Sequence, residues 1–158
     1  MRVLILVGLV GCSVAPKEGT WTWGRTAFGE NTCDFDAEFR PRGDFYLRAE
    51  EDGSITVDPN DGTTQVFGCS LDGSKLTCDE RGAFRDIQNT ARLETFSTLL
   101  GEFSGGDSFE GSADLRQTCR GEDCAAITEN TGISYPCQTE IEVAATWSSE
   151  DLADAQFN

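Results

Sequence analysis

The chain has 158 residues, with 12 Lys or Arg against 28 Asp or Glu, a formal net charge of −16 and no histidine. A surface so acidic, with no basic cluster to neutralise phosphates, excludes nucleic-acid binding. Without histidine there is no Ser-His-Asp or Cys-His nucleophile, no imidazole acid/base chemistry near neutral pH and no histidine metal site. Paired carboxylates could do glycosidase-type work, but among 28 acids some lie close together by chance. The chain is therefore expected to be no enzyme, with no cofactor and no metal.

At the amino terminus, Arg2 and the free amine precede an apolar run over residues 3–10, and Leu9-Val10-Gly11-Cys12 ends it with small residues before a thiol. That is the order of parts in an export signal. The run stops at Pro16-Lys17-Glu18, short of the roughly 20 apolar residues that a transmembrane helix needs. A buried strand ending in Gly-Cys is the plainer alternative. Leu9-Val10-Gly11-Cys12 resembles the lipobox of bacterial lipoproteins. The resemblance implies that residues 1–11 are a signal peptide and that Cys12 is acylated on its sulfur and on its new amino group. The protein would then be lipid-anchored in the bacterial cell envelope, and Ser13, where some relatives carry a retention aspartate, points to the outer membrane. Residues 12–18 become the lipidated cysteine and its polar tether. Attachment comes from acyl chains on Cys12, since an acidic chain has no polybasic patch to offer a lipid surface.

Setting Cys12 aside leaves Cys33, Cys69, Cys78, Cys119, Cys124 and Cys137. An even count behind an export signal reads as three disulfides formed in an oxidising compartment. No CxxC spacing occurs, which disfavours both zinc and a redox-active pair. Cys69 and Cys78 flank Asp72-Gly73, and a four-residue loop over residues 72–75 sets them opposite one another across a hairpin. Pairing Cys119 with Cys124 closes a small loop and leaves Cys33 with Cys137 to tie an early strand to the last. Cys119 with Cys137 and Cys33 with Cys124 is the rival set.

From Gly19 to Trp147 the chain keeps to period-two patterns, and residues 19–147 read as a single domain. Thr20-Trp21-Thr22-Trp23 places two tryptophans on one face. Residues 33–39 alternate strictly, with Cys33, Phe35, Ala37 and Phe39 expected inward. Further strands are expected at residues 45–49, 54–57, 64–71, 75–78 and 83–87, separated by turn sequences such as Arg42-Gly43-Asp44 and Glu51-Asp52-Gly53. Residues 92–103 fit a helical face through Leu93, Phe96 and Leu100, but Thr95, Phe96 and Thr98 prefer extended backbone, so a strand is expected. Ser104-Gly105-Gly106-Asp107 turns the chain into a strand over residues 109–119. Residues 120–136 read as a loop carrying Cys124, residues 139–147 as the last strand, and residues 148–158 as an acidic mobile tail. Asp58-Pro59-Asn60-Asp61-Gly62 clusters oxygens as a calcium loop does. Its glycine falls at position five and Cys69 at position twelve, so a plain turn is the better reading.

About nine short strands with no clear helix predict an antiparallel all-β domain, an up-and-down β-barrel stapled by disulfides or, as the alternative, a β-sandwich. Closure removes exposed edges, which favours the barrel. Gly19-Thr20-Trp21 resembles the G-x-W element of lipocalins. The resemblance implies a lipocalin-like barrel, with Arg116 or Arg120 as the cation packed over the first-strand tryptophan, and a small apolar ligand inside. Core packing explains Trp21 equally well. The competing function is a surface interaction module whose acidic loops contact another envelope protein. The interior discriminates between them: if Trp21, Trp23, Phe35, Phe39, Phe67 and Phe109 fill it, a ligand has no site.

Overall fold

The computed structural model describes residues 15–157 apart from 64, 88 and 89, so Cys12 and the signal-like run lie outside the described residues. Nine strands form one antiparallel sheet: β1 (Gly19–Asn31), β2 (Asp44–Ala49), β3 (Ile55–Asp58), β4 (Phe67–Asp72), β5 (Lys75–Cys78), β6 (Arg81–Ile87), β7 (Ala91–Phe103), β8 (Ser108–Gly121) and β9 (Cys137–Ser149). Consecutive strands pair except β5 with β6, β1 pairs with β9, and β5 pairs with β7. That last pairing closes an eight-strand barrel and rules out the sandwich. β6 is the extra strand, and it continues the path of β5. Thr77 faces Leu100 and Arg81 faces Ser97, so four steps along the β5–β6 path oppose three along β7. A one-residue excess of this kind is a β-bulge on the β5–β6 path.

Alternation builds the wall. In β9, Cys137, Thr139, Ile141, Val143 and Ala145 are buried while Gln138, Glu140 and Glu142 face solvent. In β1 the same rhythm runs through Trp21 and Trp23 and then slips, because the register against β9 shifts between Trp23 and Thr26. Beyond that shift the strand continues to Asn31, held by β9 although its own pattern is polar.

One end of the barrel is solid. Trp21 packs against Phe45 at 6.1 Å and Phe103 at 5.5 Å, and Phe103 lies 5.1 Å from Phe109. The Trp21 indole N–H is satisfied by the Lys17 carbonyl at 3.0 Å. Gly101 sits opposite Gly111 here, and a Cβ at Gly101 would stand 2.3 Å from the Phe109 ring. Only glycine lets β7 and β8 coil this tightly over the plug.

Three disulfides are present: Cys33–Cys137, Cys69–Cys78 and Cys119–Cys124. Cys69 faces Cys78 directly across the β4–β5 hairpin. Cys33–Cys137 joins the far ends of β1 and β9 across 104 residues of chain. In the chain-entropy account a loop near that length stabilises by about 4.7 kcal/mol, more than either short loop.

Three expectations need correction. Residues 33–39 are not a strand. Asn31 exchanges hydrogen bonds with the backbone N–H and carbonyl of Phe35, Asp34 takes a positive φ of 51°, and Asp36 caps a single 3-10 turn, Ala37–Phe39. Local side-chain-to-backbone bonds displace the ladder there. Cys33 is buried, but Ala37 is exposed and Phe39 is 56% exposed. Residues 120–136 are not all loop: α1 (Cys124–Thr131) starts at the disulfide and ends at Gly132, whose φ of 74° and N–H to the Thr128 carbonyl form a left-handed cap. Neither Arg116 nor Arg120 covers Trp21: Arg116 lies over Phe96 and pairs with Glu80, and Arg120 pairs with Glu94.

The acidic tail lies on the outer wall. Thr20 donates to the Asp151 carbonyl, the Gln156 N–H reaches the buried Asp58 carboxylate at 2.6 Å, and Arg48 sits 4.4 Å over Phe157. Tyr46, on the outer face of β2, is buried. Burial pushes its phenol above the ordinary 10.0, and Asp154, Asp44, Asp58 and Asp151 push the same way. A raised phenol contributes stability below pH 10.0 that is lost as pH rises from there through the folded value. A chain ending at Ser149 is therefore expected to bring the Tyr46 titration back towards 10.0, read by phenolate absorbance with Tyr46→Phe as the assignment. An unchanged titration would show that the tail does not cover Tyr46.

Candidate functional site

The strands differ in length, and that difference makes the site. β1, β7, β8 and β9 run for 13, 13, 14 and 13 residues, whereas β2, β3, β4 and β5 run for 6, 4, 6 and 4. The long strands and β6 continue past the point where the short ones stop. The wall there is open on one side, and residues 32–43 and 59–63 cross the gap instead of strands. Between them lies a cavity of about 530 Å³.

Its floor is apolar, made by Trp23, Val57, Phe67, Leu99 and Ile141. Higher up, Thr95, Ser97, Gln65 and Thr63 line it, and Arg40, Pro41, Arg42, Asn60 and Asp61 form the rim. Trp23 stacks on Phe45 at 4.2 Å, which joins the floor to the aromatic plug below. A second cavity of about 620 Å³ lies further out, between the Asp34–Asp36 turn, α1 and β6, lined by Phe35, Phe84, Ile87, Leu93, Ile127 and Tyr135. Phe39, Ala83 and Thr95 line both. Phe35 and Phe39 stack at 4.5 Å over the mouth. Of the six aromatics expected to fill the interior, Trp21 and Phe109 do so, Trp23 and Phe67 form the floor, and Phe35 and Phe39 stand at the opening.

Arg81 fastens the rim. It pairs with Asp61, donates to the Gln65 carbonyl at 2.8 Å, the Thr63 hydroxyl at 3.2 Å and the Ser97 hydroxyl at 3.1 Å, and lies 4.4 Å over Phe67. The 58–62 motif is thereby a turn whose carboxylates are already engaged: Asp61 by Arg81, and Asp58 by the N–H groups of Asn60 and Gln156. Among the described residues no three Cys, Asp or Glu side chains gather to hold a metal. Cys33–Cys137 and Cys119–Cys124 staple the open end, Cys69–Cys78 lies in the core cluster, and none enters either cavity as a thiol; Cys33, the one cysteine in a lining, is bonded to Cys137.

Sequence reasoning overlooks Arg81, Arg40 and Arg42. A signal for the cavity does exist in β7, where the inward positions run Leu93, Thr95, Ser97, Leu99, a polar break in an otherwise apolar face. The outer face is different in kind. Arg92 lies over Phe84 and pairs with Asp86 at 2.7 Å, while Arg120 pairs with Glu94 at 2.9 Å. No family model, curated protein or solved structure matches the chain, so the site is read from its own geometry.

Burial works to raise the Asp61 carboxyl, but hydrogen bonds from Arg81 and Thr63 and the Arg81 charge outweigh it and hold the group below its ordinary 3.8. A lowered carboxyl contributes stability above pH 3.8 that is lost as pH falls from there through the folded value. Asp61→Asn is expected to lower the melting temperature at pH 6 and to shrink the further drop between pH 4 and pH 2, windows set by that ordinary value. Melting curves that keep the wild-type acid dependence would show that Asp61 is not the group responsible.

Proposed function

We propose that the protein is a lipid-anchored, extracytoplasmic binding protein of the bacterial envelope, lipocalin-like in architecture, which takes a small apolar ligand in the open end of its barrel and catalyses nothing. One observation carries this reading: an apolar-floored cavity of about 530 Å³ above a solid aromatic plug. Small-molecule sites are concave spaces of roughly 300 to 1,000 Å³ with apolar linings and a few placed polar groups. The three disulfides fit an oxidising compartment.

The tether supports the anchor reading through its position. The Lys17 N–H donates to the Gly106 carbonyl at 2.8 Å, the Trp147 indole donates to the Glu18 carbonyl at 2.9 Å, and the Lys17 ammonium stands 4.5 Å over the Trp147 ring. These contacts hold the start of the described chain at the plugged end, in the β7–β8 turn. Cys12 is three residues before Ala15 in the sequence. Acyl chains on Cys12 would enter the bilayer beneath the plug, and the cavity would face the aqueous compartment, away from the anchoring membrane.

Native mass spectrometry of protein taken gently from the envelope is expected to show a bound small molecule that leaves on denaturation. A clean unliganded mass would favour an interaction module that meets another envelope protein. Radiolabelled fatty acid is expected in the wild type and absent from Cys12→Ser. Equal labelling would overturn the anchor.

A further inference from the structure

We infer that the ligand of this cavity is an amphiphile with an anionic head, held by Arg40 and Arg42. The inference rests on the cavity being a binding site, and the charges of the molecule supply the rest. Among the described residues only Arg40, Arg42, Arg85 and Lys75 have no carboxylate within 4.0 Å; Lys17, Arg25, Arg48, Arg81, Arg92, Arg116 and Arg120 all do. In a chain of net charge −16 an unpaired arginine needs an explanation, since acids are available almost everywhere. Three of these four line the two cavities: Arg40 and Arg42 the first, Arg85 the second.

Arg40 adds an independent observation. One of its terminal nitrogens donates to the Thr26 carbonyl at 2.9 Å, and its guanidinium stands 5.7 Å over Phe28, so the group is held in place. Its Nε is buried and has no acceptor. A buried donor without a partner is costly, more so in a charged group, so the Arg40 guanidinium is incompletely satisfied within the protein. Arg40 is extended, with φ −73° and ψ 140°, and Pro41 follows, so Arg42 lies two positions on along an extended stretch and also lines the cavity. Of the two carboxylates in that lining, Asp61 is taken by Arg81 and Glu38 has no cation within 4.0 Å. Two free guanidinium groups against one free carboxylate leave the mouth locally positive. A carboxylate or phosphate head there accepts charge-assisted hydrogen bonds while its tail lies over Trp23, Val57 and Ile141.

The test is quenching or enhancement of tryptophan fluorescence on titrating the purified, folded protein with decanoate, decyl phosphate and decanol. These share a tail and differ in head. We expect at least one anionic probe to bind about tenfold or more tightly than decanol, with the advantage weakened by salt. The advantage should collapse in Arg42→Gln, an exposed position, and in Arg40→Met, and should survive in Lys75→Gln at the plugged end. Which anionic probe binds better identifies the head as carboxylate or phosphate. Decanol binding as tightly as both anions, or an advantage that survives both arginine substitutions, would overturn the inference while leaving the cavity a binding site. Failure of all three probes to bind would remove the site itself and this inference with it.

Discussion

Everything in this molecule is arranged around the packing of Trp21 against Phe45, Phe103 and Phe109. A tryptophan buried this completely contributes its area to the core, but its indole N–H must also find an acceptor. The acceptor is the Lys17 carbonyl, so the same contact that plugs the barrel fixes the segment before β1. Gly101 and Gly111 are the counterpart on the opposite wall: the Phe109 ring occupies the space a side chain on Gly101 would need, and the backbone of Leu100 and Gly101 occupies that of one on Gly111. A plug at one end frees the other. Because hydrophobic burial is concentrated below Trp23, the upper half of β1, β7, β8 and β9 need not be filled by side chains.

That upper half is held by other means. Few large apolar side chains are buried there, and its order comes from covalent and polar links. Cys33–Cys137 ties the ends of β1 and β9, Cys119–Cys124 ties the end of β8 to α1, and Arg81 ties Asp61, Thr63 and Gln65 to β6 and β7. These links stand where few large apolar side chains are buried, and the bridge that closes the longest loop adds most in the chain-entropy account. A cavity can persist in such a region because removing core atoms there forfeits little packing energy.

The same division decides what could be read from the sequence. Residues 45–49 and 75–78 declare themselves as strands because one face of each is buried against the plug or floor, and burial imposes alternation, whereas residues 92–103, half-buried through their middle, are legible as a strand only from their extended-backbone preference. The Cys69–Cys78 bridge is legible for the same reason, since Gly73, at a φ of 64°, places the two cysteines opposite one another. The upper half of β1 is illegible. Its residues from Gly24 to Asn31 are exposed or half-buried, and the register shift after Trp23 breaks the period, so the pairing with β9 alone makes it a strand. Residues 33–39 mislead in the opposite direction, with perfect alternation in a segment where Asp34 takes a positive φ and Asp36 and the preceding Asn31 make local hydrogen bonds to the backbone. For α1, Ala125-Ala126 followed by Gly132 is a helix-and-cap signal, obscured by its shortness.

Charge completes the picture, since composition alone cannot distinguish an acidic coat from an acidic site. On the outer face of β6, β7 and β8 the arginines are neutralised in place, and Arg92 and Arg116 also cover Phe84 and Phe96. A cation over an aromatic face with a carboxylate beside it is a self-contained surface unit, screened by solvent and contributing little beyond solubility. At the mouth the arrangement differs. Arg81 is spent on the rim turn, and Arg40 and Arg42 stand beside an apolar floor with fewer acids than cations around them. An overall charge of −16 repels anions at a distance, but within a Debye length the nearest fixed charges dominate. The acidic coat and the locally basic mouth therefore act over different ranges: the first repels polyanions and other copies of the chain at a distance, and the second sets the potential at the cavity itself.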